Sequence, residues 1–120
     1  MKKILIVDDE PNIVMTLEYT FKKSNYEVFI ARDGQEALDI LKTNYPDVII
    51  LDIMMPMVDG FATLEQIRKE DNLQHTKVMF LSAKNKESDI EKGLALGADA
   101  YMTKPFSIKK VVEKVEELLS

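Results

Sequence analysis

Hydrophobic positions along this chain alternate between two periods. Unbroken apolar runs at Ile4-Leu5-Ile6-Val7, Val48-Ile49-Ile50-Leu51 and Val78-Met79-Phe80-Leu81 suit strands covered on both faces, as in a parallel sheet. Between them lie stripes with helical spacing. Ile13, Leu17 and Phe21 recur at i, i+4 and i+8, and Ile108, Val111, Val112, Val115, Leu118 and Leu119 at i, i+3, i+4, i+7, i+10 and i+11, so each set lines one buried helix face. Asp33 and Glu36 form a capping-box pair opening a helix through Ala37, Leu38 and Leu41, and Asp59 caps another through Phe61, Leu64 and Ile67. A further helix is expected from about 86 to 96, stopped by Gly97. The pattern predicts strand then helix five times, with strands near 3–7, 27–31, 47–51, 76–81 and 100–103, and hence a doubly wound α/β fold with a parallel sheet.

Four of these strands run into a reactive polar group: Val7 into Asp8-Asp9, Leu51 into Asp52, Leu81 into Ser82, and Thr103 into Lys104. The carboxyl ends of parallel strands share one edge, where open sheets bind ligands, so these groups are expected to converge. Two charges about 4 Å apart repel by roughly 4 kcal/mol at an effective dielectric of 20, so converging acids need a counterion or must neutralise. Oxygen ligands favour Mg²⁺ or Mn²⁺, and Mg²⁺ commonly shares its site with a phosphate. With Lys104 and a cation offsetting charge, one carboxylate can attack phosphorus. Asp52 is the expected nucleophile because it follows the most hydrophobic, hence most central, strand. Asp8 and Asp9, adjacent in sequence, suit the metal.

Composition narrows the alternatives. The 120 residues fit a single domain over 1–120. The longest apolar runs fall far short of a membrane span, and the four apolar residues after Met1-Lys2-Lys3 are too few for a signal peptide, so cytoplasm is the expected location. No cysteine is present, which removes thiolate zinc sites and cysteine nucleophiles. The lone His75 sits in a polar stretch and reads as a surface residue. A net charge of −5 argues against this domain gripping nucleic acid directly.

Each residue alone has a plainer reading. Asp8, Asp9 and Glu10 before Pro11 can start a helix, with one acid as its cap. Asp52 can be turn chemistry, Ser82 a turn residue, Lys104 a solvated charge, and Tyr101 core packing. The coincidence on four strand ends favours the site.

The ordered set Val7-Asp8-Asp9, Leu51-Asp52-Ile53-Met54-Met55-Pro56, Asp59-Gly60, Leu81-Ser82-Ala83 and Lys104-Pro105-Phe106 resembles the receiver domain of two-component response regulators over essentially the whole chain. The resemblance implies a flavodoxin-like (βα)5 fold with strand order 2-1-3-4-5. It implies that Asp52 accepts a phosphoryl group from a sensor histidine kinase or histidine phosphotransfer protein. Asp9, Asp52 and the Met54 carbonyl would bind Mg²⁺ directly, and Asp8 through water. Lys104 would pair with the carboxylate and then with phosphoryl oxygens, Ser82 would hydrogen-bond the phosphoryl group, and Ala83 would leave the phosphorus accessible. Tyr101 matches the family's switch aromatic, and Lys104-Pro105 its cis peptide. Such a domain is a signalling phosphoacceptor rather than an enzyme. Its output face is formed by the fourth helix, fifth strand and fifth helix, read by a downstream domain or protein, with dimerisation on phosphorylation as one mode.

At Met57 many relatives carry glycine. Two other classes share parts of the pattern. An aspartate-nucleophile phosphohydrolase usually has a second aspartate two residues on, where this chain has Met54. A flavin-binding electron carrier needs a phosphate-binding loop after the first strand, and none is present.

Overall fold

The computed structural model describes residues 1–120. Five strands, β1 (Lys3–Val7), β2 (Glu27–Ala31), β3 (Val48–Leu51), β4 (Lys77–Ser82) and β5 (Ala100–Thr103), alternate with helices α1 (Pro11–Lys23), α2 (Gly34–Ile40), α3 (Gly60–Lys69), α4 (Glu87–Ala95) and α5 (Ile108–Leu119). All strand pairs are parallel, in the order β2-β1-β3-β4-β5. This is the doubly wound, flavodoxin-like fold that the sequence pattern and the resemblance predict. The strand ends differ from expectation mainly at β4, which runs through Ser82 and leaves Thr76 outside it.

Alternation along the strands divides the core into two layers. Leu5, Val7, Ile49, Leu51, Val78 and Phe80 face one side, against Ala37 and Leu41 at α2 and Phe61, Leu64 and Ile67 of α3. Ile4, Ile6, Val48, Ile50, Met79 and Leu81 face the other, against Leu17 and Phe21 of α1 and Val111 and Val115 of α5. Because β1, β3 and β4 are covered on both sides, their residues are apolar without alternation. Each large side chain buried here is worth about 1.5–3 kcal/mol of transfer free energy, so the two layers fix the register that aligns the strand ends.

Local chemistry sets the helix starts. Asp33 accepts from the Glu36 N–H at 2.8 Å, and Asp59 from Ala62 N–H at 2.8 Å. The return half of the α2 box is shifted: the Glu36 carboxylate accepts from Arg32 N–H at 3.2 Å, one residue before the cap. Ser107 caps α5 through Lys110 N–H at 3.3 Å, a cap the sequence reading did not assign. At α1 the plainer alternative of an acid acting as the cap is not what is found: Glu10 holds the cap position without a side-chain cap bond, and Pro11 opens the first turn. Gly97 follows α4 at φ +108°, a left-handed conformation that glycine adopts without steric cost.

Candidate functional site

Register builds the site. Val7 pairs with Leu51, Leu51 with Phe80, and Ser82 with Thr103. The next backbone bonds continue the ladder, with Asp52 N–H donating to Val7 C=O at 2.9 Å and Lys104 N–H to Ser82 C=O at 2.8 Å. Asp8, Asp52, Ser82 and Lys104 therefore meet at the carboxyl edge. Asp8 and Asp52 are each 3% exposed, and Ser82 is fully buried, so the two acids sit in a setting that makes charge costly.

One amine serves three acids. Lys104 Nζ lies 3.0 Å from Asp8 Oδ2, 2.9 Å from Glu10 Oε1 and 3.5 Å from Asp52 Oδ2. Asp8 Oδ1 also accepts from Glu10 N–H at 2.9 Å, and Asp52 Oδ1 from Met54 N–H at 3.3 Å. Carboxylate oxygens of Asp8, Glu10 and Asp52 lie within 4.8 Å of one another, a hard-oxygen donor set of the kind that fits Mg²⁺ or Mn²⁺. Asp9, predicted to share the metal, is exposed and outside this trio. It lines an adjoining cleft with Asp8, Pro11, Val14, Met15, Glu18 and Arg32. Met54 and Ala83 are exposed at the mouth of the pocket.

Burial pushes the Asp52 carboxyl above its ordinary range, opposed first by Lys104 and then by the Met54 N–H and the Ser82 hydroxyl. Asp8 is likewise raised by burial, against the Glu10 N–H and Lys104. Burial acts to lower Lys104, but its bonds to Glu10 and Asp8 outweigh that and hold the ammonium above its usual value. The amine is thus protonated while the acids carry an unrelieved cost of charge, an arrangement that favours the arrival of a cation.

The second half of the site is Lys84. Its N–H donates to Ser82 Oγ at 3.3 Å, and its C=O accepts from the Tyr101 hydroxyl at 2.7 Å. The Tyr101 ring lies 5.7 Å from that of Phe80. Gly93 of α4 packs so closely on both rings that a Cβ there would stand 3.0 Å from Phe80 and 3.2 Å from Tyr101. The Lys104-Pro105 peptide is cis. On the other side of the pocket, Gly60 at the start of α3 abuts the backbone of Asp52 and Ile53 so closely that a side chain there would displace one of them. His75 is exposed in the cleft at the opposite end of the sheet, beside Lys2 and Ser120, far from this chemistry.

The residue that sequence reasoning missed is Glu10. Its only signal was an acid directly before a helix-opening proline, which read as a cap.

This fold, with acids on its two central carboxyl ends and an amine on the edge strand, defines an α/β protein with a receiver-type acidic pocket. A family model described as the response regulator receiver domain matches residues 4–116. The alkaline phosphatase synthesis transcriptional regulatory protein PhoP of Bacillus subtilis (strain 168) is 46% identical over 118 residues, 98% of this chain and 48% of that protein. The chain therefore spans about half the length of that relative. Among solved structures, the receiver domain of the Francisella response regulator 1452 is 37% identical, with a TM-score of 0.91 over 99% of this chain and 97% of that one. The Vibrio cholerae chemotaxis response regulator CheY4 is 31% identical, with a TM-score of 0.93 over 99% of each chain. The chain belongs to the response regulator receiver domain family of two-component signalling. Neither the phosphohydrolase nor the flavin-carrier reading gains support. No helix is long and apolar enough to cross a membrane.

Proposed function

We propose that residues 1–120 act as one receiver domain in which Asp52 takes a phosphoryl group from a phosphohistidine on a sensor kinase or phosphotransfer protein. The observation that carries this reading is the buried Asp52 carboxylate 3.5 Å from Lys104, beside a second buried acid and a buried serine. An Asp52 carboxylate oxygen forms the new O–P bond as the donor's N–P bond breaks, and the electron pair leaves with the imidazole nitrogen, which takes up a proton. Asp8 and Asp52 would hold Mg²⁺ or Mn²⁺ together with the Met54 carbonyl and, as the resemblance implies, Asp9 reaching in from the adjoining cleft. The cation when bound would screen the acids and offset charge on the phosphoryl oxygens. Lys104 supplies a second positive group, Ser82 a hydroxyl donor, and exposed Ala83 leaves a clear approach.

The product is a mixed anhydride that adds about 1.5 to 2 negative charges to the pocket. Ser82 and Lys104 turn to the new oxygens, and Tyr101 follows through Lys84. Reversing a 1:99 equilibrium takes about 5.5 kcal/mol, and one charge-assisted bond supplies about 1.5–3, so several contacts act together. The face of α4, β5 and α5 then presents the changed surface to a downstream domain, protein or second copy, in the cytoplasm. Loss of the phosphoryl group is assisted by the same pocket.

The test is acid-labile phosphate incorporation from phosphoramidate or acetyl phosphate with Mg²⁺. Wild type labels and Asp52→Asn does not. Undiminished labelling of that variant removes Asp52 from the role.

A further inference from the structure

Glu10 spends its carboxylate in an unusual way. It occupies the cap position of α1 yet makes no side-chain cap bond, although a cap is the nearest use for an acid there. Its backbone N–H is fixed on Asp8 Oδ1 at 2.9 Å, and its side chain reaches across the pocket mouth to a lysine 94 residues away. The Glu10 side chain is 56% exposed, while those of Asp8 and Asp52 are 4% and 3% exposed. The ammonium lies closer to this outer acid than to Asp52, at 2.9 Å against 3.5 Å.

An ammonium has three N–H donors. Two are committed to Glu10 and Asp8, which leaves the weakest contact for Asp52. Incoming phosphoryl oxygens compete for the donor that Glu10 holds, because the Glu10 contact is the solvent-exposed one while the Asp8 carboxylate is buried.

We propose that Glu10 is a positioning residue that parks the Lys104 ammonium at the pocket mouth in the resting domain and must release it for the phosphoryl group to be captured. This rests on Asp52 as the acceptor. The pairing works as a brake: it keeps the amine from closing fully on Asp52, and its rupture forms part of the barrier to phosphoryl transfer. Glu10→Gln removes the charge. Glu10→Asp keeps the charge but shortens the reach by one methylene. Neither position nor bonding makes Glu10 part of the core, so both variants keep the fold.

Two readouts test the idea. The first is the Lys104 Nζ–H₃⁺ resonance in metal-free protein, assigned by its loss in Lys104→Met. It shifts in both Glu10 variants if the contact is the one described, and an unmoved resonance in Glu10→Gln overturns the proposal. The second is labelling by phosphoramidate at saturating Mg²⁺, which accelerates about two- to fivefold in both variants, the scale of one partly exposed charge contact. Equal or slower labelling overturns the brake. Acceleration in Glu10→Gln alone also overturns it, because that result assigns the effect to the field of the charge rather than to the contact. If wild type and Asp52→Asn label alike, the acceptor assignment fails instead, while the metal-free resonance still judges the Glu10 contact.

Discussion

The Tyr101 hydroxyl donates to the Lys84 carbonyl at 2.7 Å. The same residue's N–H donates to Ser82 Oγ, so one peptide segment joins the pocket hydroxyl to an aromatic on the sheet edge. On the proposed switch, Ser82 would give up the Lys84 N–H as it turns toward a phosphoryl oxygen, and Tyr101 would lose the fixed carbonyl that holds it. Tyr101→Ala is expected to label at near wild-type rate but to weaken the binding of a downstream partner by about tenfold, the coupling of about 1.4 kcal/mol common between linked sites. Labelling kinetics and partner titration separate the two, and a variant that cannot label contradicts the division of labour.

Arg68 ties the far end of the sheet together. Its guanidinium donates to Gly97 C=O from Nε at 3.1 Å and Nη2 at 2.9 Å, to Thr76 C=O at 2.9 Å, and to Asp99 Oδ2 at 3.0 Å. Asp99 Oδ2 in turn accepts from Val78 N–H at 2.8 Å. Arg68→Ala strands several partly buried carbonyls and is expected to cost about 2–4 kcal/mol. Urea unfolding measures it, and Arg68→Lys recovers less than half because a single ammonium lacks the planar fork.

Met57 takes a left-handed backbone at φ 67° with its side chain 84% exposed. That conformation costs a side-chain-bearing residue about 1–2 kcal/mol, and no packing offsets it. The glycine that the family resemblance implies at this position fits that backbone geometry. Met57→Gly is expected to stabilise the fold by about 0.5–1 kcal/mol after the added freedom of the unfolded chain is subtracted, as read by the urea midpoint.

The acids oppose folding when no cation is bound. Burial raises the Asp52 carboxyl above its ordinary 3.8, so the folded form holds that proton more tightly than the unfolded chain does. Stability from this group is present at low pH and is lost as pH climbs through the raised value. In chelator, Asp52→Asn is therefore expected to be more stable than wild type at pH 7. The gap shrinks as pH falls toward 4, and Mg²⁺ stabilises wild type more than the variant. Thermal unfolding across pH and Mg²⁺ concentration checks all three, and a variant less stable at pH 7 would show that Lys104 outweighs burial.

Burial on both faces made the strands legible, since it leaves runs such as Val48–Leu51 without polar positions. Once the strands were placed, parallel register carried Asp8, Asp52, Ser82 and Lys104 to one edge. Asp33 and Asp59 were readable because a cap bonds within three residues, and Ser107 carried the same signal unread. Glu10 and Arg68 were not readable. Their partners lie 94 and 31 residues away, and which acid or carbonyl a long side chain reaches depends on how helix ends approach strands in three dimensions. Met57 shows the same limit, because residue type alone did not reveal a left-handed backbone.

Strand β5 pairs only with β4 and is half-buried beyond Ala100, whereas β3 is buried throughout and flanked on both sides. Asp52 thus follows a fully buried interior strand, while the amine and the tyrosine ride on a half-buried edge strand. On the proposed function, a change in charge at the middle would be absorbed as displacement at the rim, so Asp52 could keep its aim while the surface that reports on it moves.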